Sequence, residues 1–227
     1  MTERPATERD LLRWAEALSA VAQTGLGFTE SLYEQERFEE VLAIAADIRQ
    51  HTHGGLQPEI QVEEWLDRVG AGVAGYVTPK VTVGAVVGND AGELLLVQRA
   101  DSGIWLYPTG WADVGYSPSE VVVKEVKEET GIECEVIRPI GILDGQRRGF
   151  TRIPLISIVF LCRMTGGDLK PHPLECSDVG FFGPDNIPEP SAPSELWATR
   201  AFAAINGEDG EIQFDLPRRT PWRGGDA

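Results

Sequence analysis

Three glutamates, Glu125, Glu128 and Glu129, lie in the run Lys-Glu-Val-Lys-Glu-Glu-Thr, and their spacing is the first sign of chemistry in this 227-residue chain. On a helix that turns about 100° per residue they fall within roughly a 100° arc. Carboxylates crowded that closely repel one another unless water or a cation screens them. A hard divalent ion such as Mg²⁺ takes oxygen ligands of this kind, commonly together with substrate phosphates. Such an ion neutralises charge on phosphate oxygens and lowers the pKa of an attacking water. Alone, an acidic run of this type is more often a solvated helix face. Its neighbours have to decide.

Those neighbours mark both ends of a helix. Ser117 suits the N-cap, Pro118 the first helical position and Glu120 the third, which makes a capping box. Gly131 supplies the left-handed residue that ends many helices. The spacing therefore predicts a helix over Pro118 to Thr130, with Lys124 one turn from both Glu120 and Glu128. Glu120 falls on another face from the acidic group and reads as a cap.

Around this helix the pattern is that of strands. KVTVGAVV is β-branched, NDAG is a turn, and ELLLVQRA reads as the returning strand of a hairpin. CEVIRPIGIL, IPLISIVFLCRM and SDVGFF are later strands, and IPEPSAP breaks the chain before a final helix from about Pro193 to Ile205. Residues before about 70 are helical in period. Leu11, Ala15, Leu18 and Ala22 recur at helical steps towards a stop at Gly25, a second helix runs from Thr29 to about His51, and PEIQVEEWLDRV forms a shorter third. The expected fold class is α+β with a small helical N-terminal domain. Its parts are residues 1–72 (helical, for dimerisation or packing), 73–207 (the catalytic domain) and 208–227 (a tail, whose end RRTPWRGGDA reads as poorly ordered). So few helices bury little by themselves, so the first part is expected to pack on the second domain or on a partner in a homodimer.

Composition narrows the function classes. A formal net charge of −16 disfavours DNA and anionic membrane surfaces, although a bound metal can still attract a phosphate-bearing substrate. Cys134, Cys162 and Cys176 are too scattered for a disulfide framework and read as reduced structural thiols. No apolar leader or membrane-length apolar run is visible, which makes the cytoplasm the expected compartment. His51 and His53 lack a third zinc ligand, and Gly25-Leu-Gly27 follows a helix rather than a strand.

The order of hairpin, tryptophan, Pro-x-Gly turn, glycine-containing loop, capped helix and acidic cluster resembles the Nudix box, G-x5-E-x7-R-E-U-x-E-E-x-G-U, where U is bulky and apolar. Gly110 stands at its first glycine, and Glu125-Val-Lys-Glu128-Glu129-Thr-Gly131-Ile132 matches its end. Three positions depart from the pattern: Tyr116 replaces the first glutamate, Lys124 the arginine, and Thr109 the first glycine of the usual Pro-Gly-Gly turn. WADVGYSPSE, KEVKEETG, GGDLKP, SDVGFFG and the N-terminal helical run are similar to a subfamily with a helical N-terminal domain, so the likeness covers most of residues 8–205.

That resemblance implies a Nudix-type α/β/α sandwich around a mixed sheet. It implies an enzyme like the ADP-ribose or CDP-choline pyrophosphatases, which would hydrolyse a nucleoside diphosphate linked to another moiety with Mg²⁺, or with Mn²⁺ in its place. Glu125, Glu128 and Glu129 would ligate the metal and position the attacking water, with the Gly110 carbonyl as an auxiliary ligand. Glu175, in HPLECSD, is the candidate general base. Arg147, Arg148 and Arg152, between two predicted strands, are candidate phosphate contacts, with Lys80 and Arg99 as weaker ones. Tyr116 could hydrogen-bond substrate or pack in its loop, Trp111 could stack on a base, and Trp105 reads as core. Two other readings stay open. One is a catalytically weak nucleotide-binding sensor, favoured by Tyr116 and Lys124; the other is a nucleoside-triphosphate pyrophosphatase.

Overall fold

The computed structural model describes residues 5–52, 56–69, 77–113, 115–192, 197–208 and 210–217. The chain divides into two compact units, Met1–Lys80 with Asp144–Leu155, and Val81–Leu143 with Ile156–Ala227.

In the first unit, α1 spans Glu8–Phe28, α2 Leu32–Gln50 and α3 Pro58–Leu66. Thr7 opens α1 with a capping box to Asp10, and Ser31 caps α2 by accepting from the Glu34 N–H. Ala22, Leu42, Ala45, Ala46 and Trp65 form the buried core. The expected stop at Gly25 is not one, because α1 runs on to Phe28. A Cβ at Gly25 would collide with the Phe38 ring, so this glycine lets α1 and α2 approach closely instead of ending a helix. The later piece of the unit carries a four-residue helix, α5, Gly145–Arg148. Arg152 fastens that piece to the early helices, with Nη1 3.0 Å from the Glu8 carboxylate and Nη2 donating to Thr52 Oγ1 at 2.6 Å.

The second unit holds most of the sheet. Its strands are β1 Lys80–Gly88, β2 Leu94–Arg99, β3 Trp105–Leu106, β4 Thr109–Trp111, β5 Ile132–Asp144, β6 Leu155–Gly167, β7 Cys176–Phe182 and β8 Gln213–Phe214. The strand order is β3-β2-β1-β6-β5-β8, with β4 added to β1 and β7 to β2. The sheet is mixed: β1 with β2 and β2 with β7 are antiparallel, whereas β5 with β8 is parallel.

Period-two alternation builds a core on each face. Val83, Ala85 and Val87 of β1, Leu95 of β2, Cys134 of β5, and Phe160 and Cys162 of β6 bury against Val121, Val122 and Val126 of α4, Pro118–Thr130. The alternate residues Val86, Leu94, Leu96 and Val159 bury against Ala198, Ala201 and Phe202 of α6, Ala198–Ile205. The result is an α/β/α sandwich, as the family resemblance implies. Each fully buried valine or leucine contributes about 1.5–3 kcal/mol, so α4 is fixed to the sheet by several such terms. The predicted start of the last helix at Pro193, the tail RRTPWRGGDA and His53 lie outside the described residues.

Candidate active site

The ends of α4 are set by the residues the sequence nominates. Ser117 Oγ accepts from the Glu120 N–H at 3.4 Å, and Glu120 Oε2 accepts from the Ser117 N–H at 2.6 Å. Gly131 closes the helix at φ 76°. Two backbone bonds brace the C-terminal turn from the loop after β6. The Lys170 N–H donates to the Thr130 carbonyl at 2.8 Å and the His172 N–H to the Glu129 carbonyl at 3.1 Å.

On this braced turn Glu129 is almost fully buried, with 6% of its surface exposed. The Thr109 N–H, at the start of β4, donates to Glu129 Oε2 at 3.1 Å. Burial pushes its carboxyl up to about 8, the Thr109 N–H opposes that shift, nearby Glu125 and Glu175 add to it, and Arg99 offsets part. Glu125 is also raised, chiefly by burial, with Lys124 opposing and Glu128, Glu175 and Asp113 adding. A Cβ at Gly110 would overlap the Glu125 carboxyl group, so β4 passes directly over that side chain. Pairing of β4 with β1, Val83 opposite Gly110, holds it there.

Glu128 is more open, its side chain 54% exposed, and lies 3.6 Å from Lys124 Nζ. Glu175 is exposed, yet its charge raises both Glu125 and Glu129, which places it in their electrostatic neighbourhood. Its backbone is pinned where its carbonyl accepts from the Ala100 N–H at 2.8 Å. Arg99 is the cation that offsets charge on Glu129; its guanidinium grips Asp101 with two bonds, at 3.0 and 2.6 Å. Trp111, at the end of β4, and Tyr116, on the segment between β4 and α4, are both exposed, whereas Trp105 is core, edge-on to Phe182 at 5.2 Å. Asp178 lies within β7 opposite Gln98.

Arg147, Arg148 and Arg152 belong to the first unit, and the carboxylates to the second. Arg152 is engaged by Glu8 and Thr52, a structural task that sequence reading could not foresee. Reading the sequence also missed the Thr109 N–H, the His172 brace and Asp113, which bonds Lys124 at 3.0 Å. None has a local signature, since each acts through a contact between separate elements.

Among the described residues no three His, Cys, Asp or Glu side chains are already gathered as a metal cage. The reason is visible in their partners: Glu129 is turned to the Thr109 N–H, Glu128 lies towards Lys124, and Glu125 is pressed against Gly110. Two carboxyls held above their ordinary range by burial and by neighbouring carboxylates are suited to a divalent cation, which would relieve both costs. The donor set fits a hard ion.

Residues 78–202 match the family model described as the NUDIX domain, and residues 9–66 match one described as the UDP-X-like N-terminal oligomerisation domain. YjhB of Bacillus subtilis (strain 168), provisionally named an ADP-ribose pyrophosphatase, is 32% identical over 210 residues, covering 90% of this chain and 96% of its own. The crystal structure of an ADP-ribose pyrophosphatase from Streptococcus suis 89-1591 is similar at TM-score 0.54 and 35% identity, covering 61% of this chain and all of that one. The crystal structure of a UDP-X diphosphatase shares the fold across 92% of this chain and all of its own, at TM-score 0.54 and 24% identity.

Proposed function

The chain belongs to the Nudix family of pyrophosphohydrolases, and on that basis we propose that it hydrolyses the phosphoanhydride of a nucleoside diphosphate linked to a second moiety, with Mg²⁺ or Mn²⁺ as the metal. ADP-ribose is the first substrate to test, because two of the relatives that match this chain over most of their length, YjhB and the Streptococcus suis enzyme, carry that name. CDP-choline stands beside it. The single observation that carries the reading is Glu129: a buried carboxyl, hydrogen-bonded by Thr109 and crowded by Glu125, on a helix end braced by two backbone bonds.

Glu125, Glu128 and Glu129, with the Gly110 carbonyl, would hold the metal. When bound, such an ion neutralises phosphate charge and makes water a better nucleophile near neutral pH. The protein's own contribution is placement. Glu175, exposed but within electrostatic reach of the buried pair, is the proposed base that takes a proton from the attacking water. The water oxygen forms a bond to one phosphorus, the bridging P–O bond breaks, and the products are a nucleoside monophosphate and a phosphorylated second moiety. Arg99 is the proposed phosphate contact in the same unit, with Arg147 and Arg148 behind it; Arg152 is set aside because Glu8 and Thr52 already hold it. Trp111, which follows Gly110, and Tyr116 are both exposed and are proposed to meet the base or the second moiety.

The helical unit is proposed to form a homodimer. Support comes from its match to an oligomerisation domain and from Trp14, Leu18, Val21 and Phe28, exposed apolar residues along one side of α1. Among the described residues no helix is long and apolar enough to cross a membrane, and the cytoplasm is the proposed compartment.

The test is Mg²⁺-dependent hydrolysis of ADP-ribose, CDP-choline, NADH, a sugar nucleotide and a nucleoside triphosphate, run beside Glu129→Gln and an EDTA control. Turnover of a diphosphate-linked substrate, lost in both controls, supports the reading. Tight binding of one compound with all five intact would make the chain a sensor instead.

A further inference from the structure

Lys124 and Tyr116 are two places inside the box motif where this chain replaces a charged residue, an arginine and a glutamate, and the structure shows how the replacements fit together. Tyr116 is exposed and brings no carboxylate. The carboxylate on that loop comes from Asp113, whose Oδ2 lies 3.0 Å from Lys124 Nζ. The same ammonium lies 3.6 Å from Glu128 Oε2, one turn along α4. A lysine suits this geometry, because a compact ammonium with three donors can serve two acceptors in different directions. Asp113 follows closely on Gly110, whose backbone packs against Glu125. One side chain therefore ties the loop after β4 to the acidic face of α4.

Resting on the metal-site reading above, we infer that Asp113 and Lys124 form a positioning pair that fixes Glu128 relative to the Gly110–Glu125 contact, so that the carboxylates are presented together to a divalent cation. Neither residue touches the reacting atoms. The pair is solvent-exposed, so its effect on global stability is small and its value lies in geometry.

Charge alone and positioning make opposite predictions. Were charge alone at work, Lys124→Met would tighten cation binding by removing a positive neighbour, Asp113→Asn would weaken it, and the double variant would return near the parent. Positioning requires both single variants to weaken binding, by about 10-fold or more as for other supports of metal ligands. The double variant should then be no weaker than the worse single one, and Lys124→Arg should keep most of the affinity.

The experiment is titration of the substrate-free full chain with Mn²⁺, free ion being followed by electron paramagnetic resonance, with melting curves to show that every variant folds. Same-sign, non-additive losses support the pair. Opposite signs, strict additivity or unchanged affinity overturn it while leaving the metal site standing. A parent protein that binds no Mn²⁺ overturns the metal site and the pair together.

Discussion

Glu129 is a carboxyl that the fold withholds from water, and this has consequences away from catalysis. Its folded pKa of about 8 lies well above its ordinary 4.5. Between those values the folded protein holds a proton that the unfolded chain has released, so stability falls as pH rises through that window. Metal-free protein should therefore melt at progressively lower temperature from about pH 5 to pH 8. Mg²⁺ should reverse the trend, because it replaces the proton and binds more tightly as pH rises. Melting in EDTA and in Mg²⁺ across that range checks both statements; a metal-free Tm that climbs with pH would show that Glu129 is solvated. Glu129→Gln should melt above the parent at pH 8 without metal and have no turnover, a stability–activity trade confined to one atom. The local spacing of Glu125, Glu128 and Glu129 was legible in the sequence. What makes Glu129 different from its neighbours was not, since its burial and its Thr109 partner come from a strand twenty positions away.

Among the elements, α4 shows most plainly what a sequence can and cannot declare. Its span matches expectation residue for residue because every signal is local: the Ser117–Glu120 box, Pro118 at the start, Gly131 at the end. Ser117→Ala should cost about 1 kcal/mol of stability. Val126→Ala, which empties a fully buried place between helix and sheet, should cost about 2 kcal/mol and also lower turnover by loosening Glu125 beside it and Glu128 and Glu129 in the next turn. Denaturant unfolding and steady-state kinetics measure the two effects; a stability loss with intact kcat would mean that the helix is held elsewhere. Strand and helix periods gave only an α+β class, and the sandwich was implied by the likeness of the box motif to a known family. Gly25 misled because a glycine that ends a helix and one that admits a neighbouring ring look alike until Phe38 is in place. The two-residue β8 and its parallel pairing with β5 had no signal at all, being set by tertiary contact rather than by propensity. The arginines of residues 147–152 looked like a loop free to reach phosphate, but the partners of Arg152 are Glu8 and Thr52, at separations no local pattern reports.

For the whole molecule, the apolar side of α1 sets the expected assembly. Light scattering should give twice the chain mass, and Val21→Arg, at a position 64% exposed, should give the single chain with its melting temperature largely kept. A monomeric parent at micromolar concentration would end the dimer proposal. The division of the chain has a different consequence. The helical unit is assembled from two stretches, the second of which, Asp144–Leu155, is separated from the first by all the sequence from β1 to β5. During synthesis the N-terminal helices leave the ribosome long before Arg152 is made, so Glu8 and Thr52 must wait for their partner while half of the sheet emerges. Nor can the two units be separated with one cut. A chain started after the helices would still carry Arg152 and its short helix, now with no Glu8 or Thr52 to hold them, and any shuffling of this enzyme with its relatives has to exchange both stretches or neither.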